Sequence, residues 1–152
     1  MYIRLASSLA LPLIAAFGFF STTVWAQDFV RLDATVKLGD KVLATPMVMA
    51  KVGARATVSV IPPTTDTKSP RVTLAVEPKR EGAVVSFTAA VTLESNDDKR
   101  TRREEIFKGK VALGKSVVLN SAAKKGEQPI SLTLAASGPS AEQLKVLGGT
   151  PK

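Results

Sequence analysis

The residues Gly109 to Ser116, GKVALGKS, spell G-x-x-x-x-G-K-S. In that pattern backbone N–H groups cradle nucleotide phosphates, provided a buried strand delivers the loop to the start of a helix. Neither flank supplies that setting. Upstream lies Arg100-Thr101-Arg102-Arg103-Glu104-Glu105, too charged for a strand covered on both faces, and downstream Val117-Val118-Leu119-Asn120 is β-branched and ends at a turn. No later apolar strand ends in an aspartate to hold magnesium. The pattern reads instead as a low-bulk strand position at Gly109 and a turn at Gly114-Lys115.

Other chemistry is equally constrained. The chain has no histidine and no cysteine, so it lacks the usual general base near neutral pH, the strongest zinc and copper ligands, and every Ser-His-Asp or Cys-His scheme. Ser-Lys neighbours occur at Lys68-Ser69 and Lys115-Ser116, but adjacent residues on an extended strand point to opposite faces. Glu94, Asn96, Asp97 and Asp98 offer oxygen ligands without the D-x-D-x-D-G spacing of a calcium loop, and basic residues crowd the same stretch. We expect no enzyme activity, no cofactor and no metal.

The densest charge runs from Asn96 to Glu105. Its basic members Lys99, Arg100, Arg102 and Arg103, with Lys108 and Lys110 beyond them, are the candidate contacts for an anion or a partner. Arginine engages phosphates and carboxylates in bidentate fashion. The alternative is that Asp97, Asp98, Glu104 and Glu105 neutralise these arginines across a hairpin, leaving a solvated loop that protects a sheet edge.

The elements that position these residues follow from the rest of the chain. Of 152 residues, the first 26 read as a signal peptide: Arg4, an apolar stretch from Leu5 to Phe20, a polar Ser21-Thr22-Thr23 step, and Val24 and Ala26 at the small-residue positions before a cut. An uncleaved anchor is the alternative, and Ser7, Ser8, Pro12 and the polar step weigh against it. Without Arg4, 20 basic residues face 13 acidic ones, a charge of +7 against +8 for the whole chain. A disulfide-free, exported domain suits the periplasm, with secretion as the alternative, and there the polyanions are glycolipids, cell-wall polymers and acidic proteins rather than nucleic acid.

Beyond Ala26 the apolar residues recur with period two, the mark of strands with one face in a core. Val30 to Leu38 alternates cleanly, and Gly39-Asp40 turns the chain into a second strand from Lys41 to about Ala50, its phase blurred at Pro46 as at a bulge or edge. Further alternating runs follow at Ala54–Val60, Val72–Val76, Val85–Leu93, Phe107–Leu113, Ser116–Asn120 and Ile130–Leu134. Turns are expected at Gly53, Lys79–Gly82, Gly114 and Lys124–Glu127, and the longest loop at Ile61–Pro70. The expected fold is all-β: a single antiparallel β-sandwich of seven or eight strands over residues 27–136. Residues 137–152 form either a flexible tail or a short helix opened by the capping-box pair Ser140 and Gln143.

Thr45-Pro46-Met47, then Lys51 to Val60, resembles a stretch of the secretin family's homology domain, where a Thr-Pro strand leads through a turn to an alternating strand. Val72 to Pro78 with Gly82 and the strand after it is similar to that domain's later V-x-P hairpin. Secretins are multimeric outer-membrane channels whose gate and membrane-lining hairpins stand between these segments; here the loop Ile61–Pro70 takes their place. The resemblance implies a similar β scaffold in an envelope protein with no functional residues to carry over, and the replacement of those hairpins weighs against pore formation.

Together these readings give a non-catalytic exported module that acts in envelope protein interaction or assembly, through a strand edge or the basic hairpin tip. The alternative is a binder of anionic glycolipid or cell-wall polymer through that tip. Aromatic residues make up 5% of the chain, and its single Tyr and single Trp, Tyr2 and Trp25, both lie in the signal, which argues against a sugar-stacking platform.

Overall fold

A computed structural model describes residues 28–61, 69–95, 101–122, 124–140 and 142–143. The signal peptide, Lys99 and Arg100 lie outside these residues. Among the described residues nine strands run in chain order: β1 (Phe29–Leu38), β2 (Lys41–Ala44), β3 (Met47–Lys51), β4 (Ala56–Val60), β5 (Arg71–Glu81), β6 (Val84–Glu94), β7 (Arg102–Ala112), β8 (Ser116–Asn120) and β9 (Ile130–Ser137).

They form two antiparallel sheets that face each other as a sandwich. The first has the order β2-β1-β9-β8, with β3 also on β1, and the second the order β4-β5-β6-β7. The expected second strand appears as two. Val36 pairs with Ala44 and Asp33 with Met47, so β2 and β3 share one register along β1 and are parted only at Thr45-Pro46, whose proline carbonyl still accepts from Ala34 N–H at 2.9 Å. Lys37 pairs with Val42, which leaves Leu43 as the extra residue of a bulge. With β2 and β3 counted as one strand, each strand neighbours its successor and β9 returns to pair with β1. The described residues thus form an eight-strand meander closed into a flattened ring.

The alternation read from the sequence fixes which side of each strand is dry. Val30, Leu32 and Val36 of β1, Ile130, Leu132 and Leu134 of β9, and Val72, Leu74, Val85 and Val91 of the second sheet are all sealed from solvent. Each such side chain contributes about 1.5–3 kcal/mol on burial, and with no disulfide in the chain this packing carries the fold.

Hydrogen bonding changes from one sheet to the other at two corners of the same construction. At the first, Val52 N–H donates to Asp28 O at 2.7 Å beside β1, while the next residue, Gly53, donates to Pro78 O on β5 at 2.7 Å. At the second, Leu113 donates to Ala83 O beside β6 at 2.8 Å and Gly114 to Ala136 O on β9 at 2.7 Å. Each corner closes with a four-residue turn, Ala54 N–H to Lys51 O and Lys115 N–H to Ala112 O, both 3.0 Å. The glycine is third in each turn, with φ of 79° at Gly53 and 78° at Gly114, the value a type II turn requires there.

The first corner also explains a proline inside a strand. Pro78 is buried in β5 opposite Phe87. Its carbonyl faces Gly53, and so therefore does its missing N–H, beyond the point where β4 begins.

Two boundaries differ from the sequence reading. β5 continues to Glu81, so the hairpin turn is Gly82-Ala83 rather than Lys79–Gly82, and β7 begins at Arg102, so the part of the charged run from Arg102 to Glu105 is strand rather than loop tip, while Asn96, Asp97 and Asp98 lie outside the described residues. The nucleotide-like pattern falls on the end of β7, the second corner and the start of β8. Its first glycine is a packing requirement: a Cβ on Gly109 would lie 2.9 Å from Phe87 Cζ and 3.2 Å from Leu119 Cδ1. At the C-terminus the capping box is formed, with Gln143 N–H donating to Ser140 Oγ at 3.3 Å and Ser140 N–H to Gln143 Oε1 at 2.9 Å; the residues after Gln143 lie outside the described set.

Because an L side chain in the left-handed region costs about 1–2 kcal/mol, Gly53→Ala and Gly114→Ala each lower the urea unfolding free energy by that amount. Gly138→Ala, with neither a positive φ nor a neighbour within 4 Å, changes it by less than about 0.5 kcal/mol. Equal losses at all three positions would remove the special role assigned to the corners.

Candidate functional site

Strand parity divides the basic run of β7 between two sides of the second sheet. Phe107 and Val111 point into the core, so Arg103, Glu105 and Gly109 share the inner side while Arg102, Glu104, Ile106, Lys108 and Lys110 face outward.

Arg103 is thereby drawn between the sheets. Its guanidinium donates to Gln128 O at 2.6 Å and to Glu105 Oε1 at 3.2 Å, reaches Ser121 Oγ at 3.5 Å, and lies 3.6 Å from a Glu127 carboxylate oxygen. Ser121 in turn accepts from Ile130 N–H at 2.9 Å. The Arg103 side chain is 21% exposed. A planar five-donor group suits this role, since it binds two carboxylates, a carbonyl and a hydroxyl at once, and so ties β7 to the β8–β9 connection where no ladder joins the sheets. Arg102 remains in solvent, 62% exposed, and pairs along its own strand with Glu104 at 3.2 Å. Among the described residues, Arg102 and Arg103 each pair with the glutamate two residues on along the same strand, and Arg103 also with Glu127; Asp97, Asp98 and Arg100, the other members of the expected neutralisation, lie outside the described residues.

Lys108 and Lys110 occupy different ground. The β5–β6 and β6–β7 registers place Lys79, Ser86 and Lys110 in one row across the outer face and Glu77, Thr88 and Lys108 in the next. Around these two rows lies a recess of about 380 Å³. A second, of about 140 Å³, adjoins it and shares Glu77 and Thr88; Ala75, Ala90 and Ile106 form its central row, with Arg55 and Glu104 at its margins. The hollow follows from residue size: β6 carries Ser86, Thr88 and Ala90 outward and β5 carries Ala75, while the longer Glu77 and Lys79 of β5, the outward side chains of β7 and Arg55 beside β4 stand around them.

This surface offers ammonium groups, hydroxyls and one exposed aliphatic side chain, Ile106 at 64%. Lys79, Lys108 and Lys110 are exposed and make no ion pair among the described residues. Ser86 stands between two lysines, an arrangement that would interest acyl transfer, but its hydroxyl donates to Lys79 O at 3.3 Å, and a lysine base needs desolvation that neither neighbour has. Among the described residues no group of three or more acidic side chains is placed to hold a metal ion, and no helix is long and apolar enough to cross a membrane.

Of the sequence candidates, then, Lys108 and Lys110 come together with each other, Arg102 sits on the same face but beyond Glu104, and Arg103 is turned away. Lys79 was hidden inside an expected turn. The signal that reveals it is the two-residue turn at Gly82-Ala83, from which pairing outward puts Lys79 opposite Ser86.

Arg103→Ala removes charge-assisted bonds from a part-buried site and leaves two carboxylates facing each other, so it costs about 2–4 kcal/mol in urea unfolding, whereas Arg102→Ala costs less than about 1 kcal/mol; similar losses for both would show that the inter-sheet tie carries no stability. Compared with known proteins, the chain matches no family model, no curated protein and no solved structure.

Proposed function

We propose that the protein is a non-catalytic module of the cell envelope, exported to the periplasm, that works by binding another protein through the outer face of its second sheet. The observation that carries this reading is the gathering of Lys79, Lys108 and Lys110, unpaired among the described residues, around a recess in that face. Charges on a solubility surface are interspersed with partners and need no hollow; here the cations rim one.

The reading of an anionic glycolipid or cell-wall polymer draws on the same lysines. Glu77 and Glu104 line the same pair of recesses, and a uniformly anionic polymer would meet them as like charges. A polypeptide, whose side chains vary in sign and polarity along its length, suits a mixed surface better.

A photo-crosslinking residue placed at Ala90, in the floor between the two recesses, gives a discrete protein adduct in cells, and the same probe at Thr35 on the outer face of the first sheet gives none. The Ala90 adduct weakens as salt rises, because its contacts include solvent-exposed charges. Adducts to lipid or polymer alone, or equal protein adducts from both positions, would overturn the proposal.

A further inference from the structure

The rows of the outer face carry a pattern finer than net charge. Passing from the corner toward the β6–β7 tip, the first row offers Lys79 and Lys110 on either side of Ser86. The second offers Lys108 and Glu77 on either side of Thr88, the third Ala75, Ala90 and exposed Ile106, and the fourth Glu104. Successive rows are two residues apart along every strand, a repeat of about 6.8 Å, which is also the spacing of alternate side chains in any extended peptide.

Resting on the protein-binding reading above, we infer that the ligand is an extended peptide segment lying along β6, with a carboxylate side chain over the first row, a small apolar side chain four residues away over the third, and a basic side chain six residues away over the fourth. Each choice follows from what the row lacks. The first row has two cations and no anion. The third has a shallow apolar floor of Ala75 and Ala90 beside the exposed Ile106, which a small side chain covers and a large one overfills. In the fourth, Glu104 is already shared with Arg102 at 3.2 Å, an exposed pair that a second cation can join. The hydroxyls of Ser86 and Thr88 complete the polar floor between the lysines.

The test uses the chain from Gln27 to Lys152 and the peptide Glu-Thr-Ser-Thr-Val-Thr-Lys, with amide NMR shifts as the readout. Expected are saturable shifts at Ser86, Thr88 and Gly109 and none at Thr133 on the other sheet. The combined variant Lys79→Gln, Lys108→Gln, Lys110→Gln weakens binding by about tenfold, the sum of exposed charge contacts. Exchanging Glu and Lys in the peptide also weakens it: with valine kept over Ile106, its glutamate reaches at best the second row, where Glu77 stands opposite Lys108, and cannot meet Lys79 and Lys110 in the first.

Equal binding of both peptides, or no loss in the lysine variant, would overturn the inference. So would hexaglutamate, or vesicles of phosphatidylglycerol in phosphatidylethanolamine, binding as tightly as the first peptide, which would favour a general polyanion. A protein adduct from Ala90 with no preference between the peptides would defeat the row pattern alone. The absence of that adduct would defeat the protein-binding reading itself.

Discussion

The ladder between β1 and β9 is the constraint on which the rest of the molecule depends. It joins the first strand to the last, from Arg31 opposite Ser137 to Leu38 opposite Ile130, and without it the meander is an open chain of hairpins. It also places the fully buried Leu32, Val36, Leu132 and Leu134 side by side at the centre of the first sheet. Because these partners are about a hundred residues apart in sequence, the entropy of closing the ring falls late and all at once. The hairpins β5–β6 and β6–β7 are local and can form early, but their inner face has nothing to pack against until β1 and β9 meet.

Closure of the ring leaves two seams where no ladder runs, between β3 and β4 and between β7 and β8. The chain crosses both at a glycine corner, and there consecutive N–H groups serve different sheets. A corner of this kind is sharp enough to keep every backbone donor paired while the strand direction changes layer. Along the second seam, beyond the reach of the five-residue β8, Arg103 supplies the link with side-chain bonds. That the inner side of β7 carries an arginine and a glutamate at this point, instead of the phenylalanine, glycine and valine further along, reflects where the sandwich opens toward water.

The sheet faces were legible because each strand has one dry side: Val85, Phe87, Ala89, Val91 and Leu93 alternate without exception, and all five are buried. What period-two reasoning could not supply was extent. The residues just after Pro78, Lys79 to Gly82, read as a turn, since a proline inside a strand normally breaks the ladder; only the tertiary contact with Gly53 shows why β5 runs on through Pro78. The charged run Arg102–Glu105 read as a loop tip for a similar reason, although an edge strand needs just one apolar side and can lose even that near its end. Both errors hid the candidate surface, because Lys79 and the outward side of β7 face each other only when β5 and β7 have their full length.

The register that brings those lysines together is pinned by packing on the opposite side of the same sheet. Phe87 on β6 lies directly across from Gly109 on β7, and its ring occupies the space that a Cβ at that position would need. A one-residue slip would set the phenylalanine against a lysine and turn the outward lysines toward the core, while carrying Arg103 out of its place between the sheets. The aromatic seat therefore excludes that alternative through burial alone. Since Ser86 and Lys110 flank this pair in sequence, the same contact that fills the core also fixes which side chains stand in one row on the outer face. The glycine that imitates a phosphate loop in sequence thus has a role in alignment: it lets a core ring lock the geometry of a surface on the other side of the strand.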